Sequence, residues 1–234
     1  MIPRDRLLTA LRRQKTDRVP YDMVFTGRAQ ARFTRETGIT DLAAYLDLDY
    51  QYVLLPPPQG LPDFSSFFAG KVPDWPTCDW ANHRLPEFAS RQNYPHFFRL
   101  GQRTCLNEWG EYRIFDEELS YHRKVHPLDG EEVTLEQAAR FPFPDVFDDS
   151  RYSGVEAQVN AIHSTGRAAV LFLEMTIFEK TWRLRGFEAF LVEMIANPDL
   201  AEFLLDEVTR RSAHMGLASL PEVLWVLLVF VVII

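Results

Sequence analysis

The run Ala168–Met175, AAVLFLEM, constrains this chain more than any other segment. A stretch that is apolar at successive positions, with no polar alternation, fits a strand covered on both faces. Such strands belong to parallel sheets flanked by helices. The surrounding sequence supplies those helices. Val155, Val159 and Ile162 fall at i, i+4 and i+7 on a helix that Gly166 ends, and Phe187, Phe190, Leu191 and Met194 repeat the spacing downstream. Asn197-Pro198 places an N-cap and a proline ahead of a further helix lined by Leu200, Phe203, Leu204 and Val208. Helix–strand alternation of this kind predicts a parallel α/β fold.

The N-terminal third carries the same grammar. Pro3 and Asp5 open a helix whose apolar face is Leu7, Leu8 and Leu11, with Arg6, Arg12 and Arg13 outside. A strand is expected over 19–25, a helix over 28–37 ended by Gly38, a short helix over 41–46 and a strand over 50–55 stopped by Pro56-Pro57-Pro58. Residues 59–106, rich in proline and aromatics, read as a long insertion with little regular structure, of the kind that serves as a lid. The tract from Asn107 to His126 reads as β with a hairpin around Phe115–Glu118. Thr134 is placed to cap a short helix over 135–139, and Pro142 and Pro144 mark a loop.

The 234 residues carry 25 Lys and Arg against 33 Asp and Glu, a net charge of −8, so no basic face for nucleic acid is implied. Cys78 and Cys105 cannot build a disulfide framework and suggest a reducing compartment. The opening MIPRDRLLTALRRQ lacks the apolar core of a signal peptide, and the expected location is the cytoplasm. The last segment, VLWVLLVFVVII over 223–234, has no polar side chain; twelve residues fall short of the roughly 20 that span a bilayer as a helix.

Zinc-finger spacing, a phosphate-binding glycine loop and a nucleophile elbow are all missing from the sequence. His122 and His126 stand four apart in a tract that reads as extended, and no metal site is assigned. In a parallel barrel the active site lies at the C-terminal ends of strands. That rule selects Asp22, Phe25 and Arg28 after the first strand, and Glu174 with Glu179 after the apolar strand. A carboxylate at Glu174 is either a catalytic group or a structural partner of a nearby arginine. Arg183 and Arg185 read as solvated helix charges, and Trp109 as either a core residue or a platform for a flat ligand.

Several of these segments together resemble the uroporphyrinogen decarboxylase superfamily, which includes porphyrinogen decarboxylases and cobalamin-linked methyltransferases. RDRLLTALRRQKTDRVPYDM resembles the opening helix and first strand of that family. NEWGEY resembles an Asp-x-Trp-Gly element of its methyltransferase-like branch, and HPL at 126–128, TLEQAARFPFPD at 134–145 and FEKTWRLRGFEAFLVEMIANPDLAEFLLDEV at 178–208 follow in order. The resemblance runs from residue 4 to about 214.

It implies a partial (β/α)8 barrel over residues 1–215 carrying the proline- and aromatic-rich insertion. The tail over 216–234, where the sequence departs from the family's continuation, is expected to be foreign to the fold, as after a truncation or frameshift; the alternative is a genuine terminal strand or hydrophobic tail. Taken together with the strand-end rule, the resemblance makes Asp22 and Glu174 the expected catalytic carboxylates and Arg28, Trp109, Glu179 and Trp182 the expected substrate contacts; of these the resemblance itself carries over only Arg28, in the retained Gly27-Arg28, and Trp182, near the family's active-site tyrosine. Phe25 stands where the family has a carboxylate-binding arginine, and Pro56 near its catalytic aspartate; both departures favour a divergent or methyltransferase-like branch. The decarboxylase version needs no cofactor. The methyltransferase version uses zinc, with ligands expected beyond this chain, and a corrinoid protein as partner. The contrasting reading is a non-catalytic product, or a half-barrel whose open strand edges pair with another chain.

Overall fold

The computed structural model describes the chain except at residues 24, 26, 57, 59, 74, 77–86, 89–96, 117–120, 131, 174–176, 220–224 and 228–234. Its elements in chain order are α1 (Pro3–Leu11), α2 (Gly27–Thr37), α3 (Leu42–Tyr45), β1 (Tyr50–Val53), α4 (Ser65–Phe68), β2 (Glu87–Phe88), β3 (Phe97–Arg99), β4 (Thr104–Asn107), β5 (Tyr112–Asp116), β6 (Tyr121–Val125), α5 (Leu135–Ala139), α6 (Val155–Ser164), β7 (Ala168–Phe172), α7 (Phe178–Arg185), α8 (Phe187–Ala196), α9 (Pro198–Ser219) and β8 (Trp225–Leu227). The fold is mixed α/β. Among the described residues the strands form two open sheets, a parallel one ordered β1-β7-β8 and an antiparallel one ordered β2 to β6; neither closes into a barrel. No helix among them is long and apolar enough to cross a membrane.

Contacts divide the chain into two units. The first comprises Met1–Leu55, Tyr152–Phe172 and Ala218–Leu227. Its centre is β7, paired in parallel with β1 (Tyr50↔Ala168 through Val53↔Leu171) and with β8 (Val170↔Trp225 through Phe172↔Leu227). Ala168, Ala169, Val170 and Leu171 are all buried, as a strand covered on both faces requires. The helix before it, α6, buries Val155, Val159 and Ile162. Beyond Val53 the ladder ends, and the Gln158 amide takes over both backbone groups of Leu54, at 3.0 and 2.9 Å.

Two expectations fail in this unit. Residues 19–23 and 25 form no strand. The Tyr21 N–H donates to the Asp49 carboxylate at 2.9 Å rather than to a neighbouring strand, and Pro20 has no N–H to give. Arg6 is not an outward residue: it is 5% exposed and donates to Asp49 at 2.5 Å and Asp17 at 2.6 Å. Asp49 is fully buried and also receives Arg18 at 2.6 Å. The Arg6 guanidinium in turn holds Asp17 well below the usual carboxylate range. Asp17-Arg18 is thus an ionic clasp between the opening helix and the start of β1.

The second unit contains Pro56–Arg151 and Leu173–Leu217. Here the expected irregular insertion is in part a sheet: β2, β3 and β4 pair antiparallel and continue into the expected β5–β6 hairpin. Phe97-Phe98 and Thr104 have the β propensity that the prolines around them conceal. Thr134 caps α5 through a reciprocal box with Gln137. Leu200, Leu204 and Val208 of α9 are fully buried. That helix runs unbroken to Ser219, past the boundary expected at 215, and Trp225–Leu227 lie beside β7.

Candidate functional site

Every residue of the NEWGEY segment has an identifiable job. Asn107 Oδ1 accepts from the backbone N–H of Trp109 and of Glu111, each at 2.9 Å, and so folds the β4–β5 turn. Gly110 sits at φ +74°, and a Cβ there would stand 3.0 Å from the Phe141 ring and 3.1 Å from Phe64. Only glycine meets both conditions. Glu108, 1% exposed, binds Arg151 through two hydrogen bonds of 2.8 and 3.0 Å. Trp109 is buried, with the Lys180 ammonium 4.1 Å over its ring. Tyr112 is fully buried and its hydroxyl donates to the Pro73 carbonyl.

Glu111 ties this turn to α7. Arg183 Nη1 lies 2.9 Å from both carboxylate oxygens, and Arg113 Nε donates at 2.8 Å. Burial alone would push the Glu111 carboxyl up, but the two guanidinium groups outweigh it and hold the group below its ordinary range. Arg183 also binds Glu179 through Nη2 at 2.9 Å, while its buried Nε has no hydrogen-bond partner among the described residues. The expectation that Arg183 and Arg185 are solvated is therefore wrong: they are 6% and 3% exposed. Arg185 binds Glu193 at 2.9 Å and the Gly130 carbonyl at 2.9 Å. The Arg183 carbonyl lies 2.7 Å from His126 Nδ1, and the Leu128 N–H donates to the Leu184 carbonyl at 2.9 Å. The NEWGEY, HPL and WRLRG segments thus converge on one knot of buried charges. Gly186, at φ +95°, makes the bend between α7 and α8.

Trp109, Glu179 and Trp182, three of the residues expected to touch substrate, meet in this knot. Trp182 is half-buried, with Phe187 at 5.6 Å, His126 at 6.2 Å and the Lys124 ammonium 5.3 Å over its ring. Burial, reinforced by Arg183, lowers the Lys124 pKa below the ordinary lysine value. Sequence reasoning missed Lys124 and Arg113. Their signal was the alternation along β5 and β6, where the two are register partners. Cys105 packs beside Arg113, and burial pushes its thiol up to about 12. Cys78 lies outside the described residues.

Asp22 belongs to the first unit. Its Oδ2 accepts from the Tyr52 hydroxyl at 2.6 Å. Tyr50, two residues earlier on the same face of β1, has its ring edge-on to Tyr52 at 5.7 Å. Burial first, and then the Asp22 carboxylate, raise the pKa of both phenols, so both remain protonated donors. Neither tyrosine was expected as a site residue, although their i, i+2 spacing already placed them together. Phe25 packs its ring 6.0 Å from Phe33 of α2. Arg28 lies in the first turn of α2, and its side chain is outside the described residues, as is Glu174.

Among the described residues no three His, Cys, Asp or Glu side chains stand together as metal ligands. The zinc of the methyl-transfer branch therefore has no donor set among the described residues. Comparison with protein-family models gives no match, and comparisons with curated proteins and with solved structures give none either.

Proposed function

We propose that this chain acts on a small carboxylate-bearing molecule by the proton chemistry of the uroporphyrinogen decarboxylase superfamily, with Asp22 at the reacting centre. The observation that carries the reading is the 2.6 Å hydrogen bond from Tyr52 to Asp22, in a half-buried position beside the parallel sheet. In such a decarboxylation the substrate ring takes up a proton, the carbon–carbon bond to the carboxylate breaks with its electron pair moving into the resulting cation, carbon dioxide leaves, a proton is delivered to the carbon it left, and the ring then gives up its added proton, so that one proton is consumed overall. A fixed carboxylate stabilises the cation, and Tyr52 fixes it. Preorganised charge of this sort is worth about 10²–10³ in rate. Segment order supports the same family, since the residues quoted for the resemblance also bind one another: Arg183 binds Glu111, the Arg183 carbonyl meets His126, and Arg185 donates to the Leu128 carbonyl.

The test is carbon dioxide release from a panel of pyrrolic and aromatic carboxylic acids, with wild type beside Asp22→Asn and Tyr52→Phe. Release from at least one acid, lowered about a hundredfold in Asp22→Asn and less in Tyr52→Phe, is the expected result. Turnover that ignores both substitutions would overturn the assignment.

A second reading, a binding protein without turnover, is favoured by α8. There Phe187, Val192 and Ile195 are 49%, 62% and 87% exposed, an apolar surface uncommon on a helix without a partner. Self-association measured by sedimentation at several concentrations, together with no turnover on the whole panel, would select it.

A further inference from the structure

Lys124 is a nucleophilic group of the second unit that the proposed reaction does not use. It stands near the end of β6 as the register partner of Arg113 on β5, and its nitrogen lies 5.3 Å over the Trp182 ring of α7. Both Lys124 and Trp182 are half-buried. Among the described residues the Lys124 nitrogen has no hydrogen bond and no ion pair.

The two carboxylates that act on Lys124 are already engaged elsewhere. Glu111 accepts from Arg113 Nε at 2.8 Å and from Arg183 Nη1 at 2.9 Å, and Glu179 accepts from Arg183 Nη2 at 2.9 Å. Two guanidinium groups and two carboxylates therefore balance without Lys124. A charge on Lys124 leaves these five groups one positive charge in excess; a neutral amine leaves them even. The Trp182 ring face favours the ammonium. Burial first, and then the Arg183 guanidinium, oppose it and lower the lysine pKa below its ordinary value. The other titratable neighbour among the described residues is His126, two residues on, whose ring lies 6.2 Å from that of Trp182. Its Nδ1 meets the Arg183 carbonyl at 2.7 Å and so carries a proton, which in the neutral ring leaves Nε2 with the lone pair. His122 shares this strand, but its side chain lies outside the described residues.

A lysine half withdrawn from water beside another cation is the usual setting for an amine nucleophile towards carbonyl compounds. With Lys124 neutral, the cluster has no net charge to attract an anion. The surface next to the amine is aromatic: Trp182 and Phe187 stand edge to face with ring centroids 5.6 Å apart, and Phe187 is 49% exposed. Such a surface suits a flat, uncharged body.

We propose that Lys124 is a covalent binding site for a small uncharged aromatic aldehyde, held as an imine with its ring against Trp182 and Phe187. The amine nitrogen attacks the carbonyl carbon, and the π pair moves to oxygen. The nitrogen gives up one proton and the oxygen takes one up, which forms a carbinolamine. The hydroxyl then takes a proton and leaves as water, the nitrogen lone pair forms the second carbon–nitrogen bond, and the nitrogen releases its remaining proton. Amine and aldehyde give imine and water, with no oxidant or reductant.

The experiment incubates the full chain with benzaldehyde and sodium cyanoborohydride, which reduces the imine to a stable secondary amine, from neutral to alkaline pH. Peptide mass mapping then gives the labelling rate of each lysine. Lys15 and Lys71 are exposed while Lys124 is half-buried, so access alone would favour the first two. Near neutral pH Lys124 should be labelled roughly tenfold faster than either, as a pKa about one unit lower would give, and its rate should level off at lower pH than theirs. Glyoxylate, an anionic aldehyde without a ring, should show a weaker preference for Lys124. Lys124→Met, checked for native circular dichroism, should lose the fast label and keep the slow ones. The comparison of lysines within wild type carries the test alone if that variant does not fold. Labelling of Lys124 no faster than Lys15 or Lys71, a fast label that persists in Lys124→Met, or a stronger preference for Lys124 with glyoxylate than with benzaldehyde would each overturn the proposal.

Discussion

Arg183 and Glu111, 72 residues apart in the chain, share a buried ion pair in which one guanidinium nitrogen lies 2.9 Å from both carboxylate oxygens. It joins α7 to the β4–β5 turn, and both side chains are under a tenth exposed. Removing one partner of such a pair leaves the other charged and dry, which costs about 3–5 kcal/mol. Arg183→Met and Glu111→Gln are each expected to lower stability by that order in urea unfolding. The double variant should lose clearly less than the sum, because neither charge is then stranded. Additive losses would show that the two residues are not coupled.

The same carboxylate sets an acid limit on stability. Arg113 and Arg183 hold the Glu111 pKa below its unfolded value of about 4.3. A depressed carboxylate contributes stability that is fully present above the unfolded pKa and is lost as pH falls through the folded one. Wild type should therefore lose stability faster than Glu111→Gln below about pH 4.3. Parallel pH dependences for the two proteins between pH 5 and pH 3 would contradict this sign.

Gly110→Ala tests the turn. The left-handed backbone at φ +74° disfavours any side chain, and the new methyl would press on the Phe141 and Phe64 rings. A loss of roughly 1–3 kcal/mol is expected from the backbone alone. Chemical denaturation reads it directly, and an unchanged midpoint would mean that the turn relaxes at no cost.

The sequence made local structure legible and left distant pairing hidden. Helices over 27–37, 155–164, 187–196 and 198–219 follow from spacing and caps, and the covered strand at 168–172 follows from an unbroken apolar run. What decides the burial of Arg6 is Asp49, 43 residues away, and what decides that of Arg183 is Glu111. No periodicity signals such partners, so both arginines read as solvent-facing. The strand expected at 19–25 failed for a related reason: its backbone at Tyr21 is satisfied by a side chain that propensity cannot anticipate. Prolines between 56 and 96 obscured the antiparallel sheet, whose strands are two to four residues long there. At the candidate site, Asp22 and the Trp109–Glu179–Trp182 group were legible, while Tyr52, Lys124 and Arg113 required strand register.

Uroporphyrinogen itself is expected to be a poor substrate. Phe25 stands where the resemblance calls for a carboxylate-binding arginine, and its ring is engaged with Phe33. Pro56 stands near the position where the resemblance calls for a catalytic aspartate. Loss of one electrostatic contact lowers rate by about 10²–10³. An anaerobic assay should yield no coproporphyrinogen above background; formation at a normal rate would contradict this reading of Phe25 and Pro56.

Whether Asp22 works on a substrate or merely holds the fold is decided by measuring activity and stability together on Asp22→Asn. The substitution keeps the shape and an acceptor for the Tyr52 hydroxyl while removing the charge. Carbon dioxide release from the best acid of the panel should fall about a hundredfold, with an unfolding free energy within about 1 kcal/mol of wild type. A lowered unfolding free energy with unchanged turnover per folded molecule would make Asp22 a structural residue and contradict the proposed function.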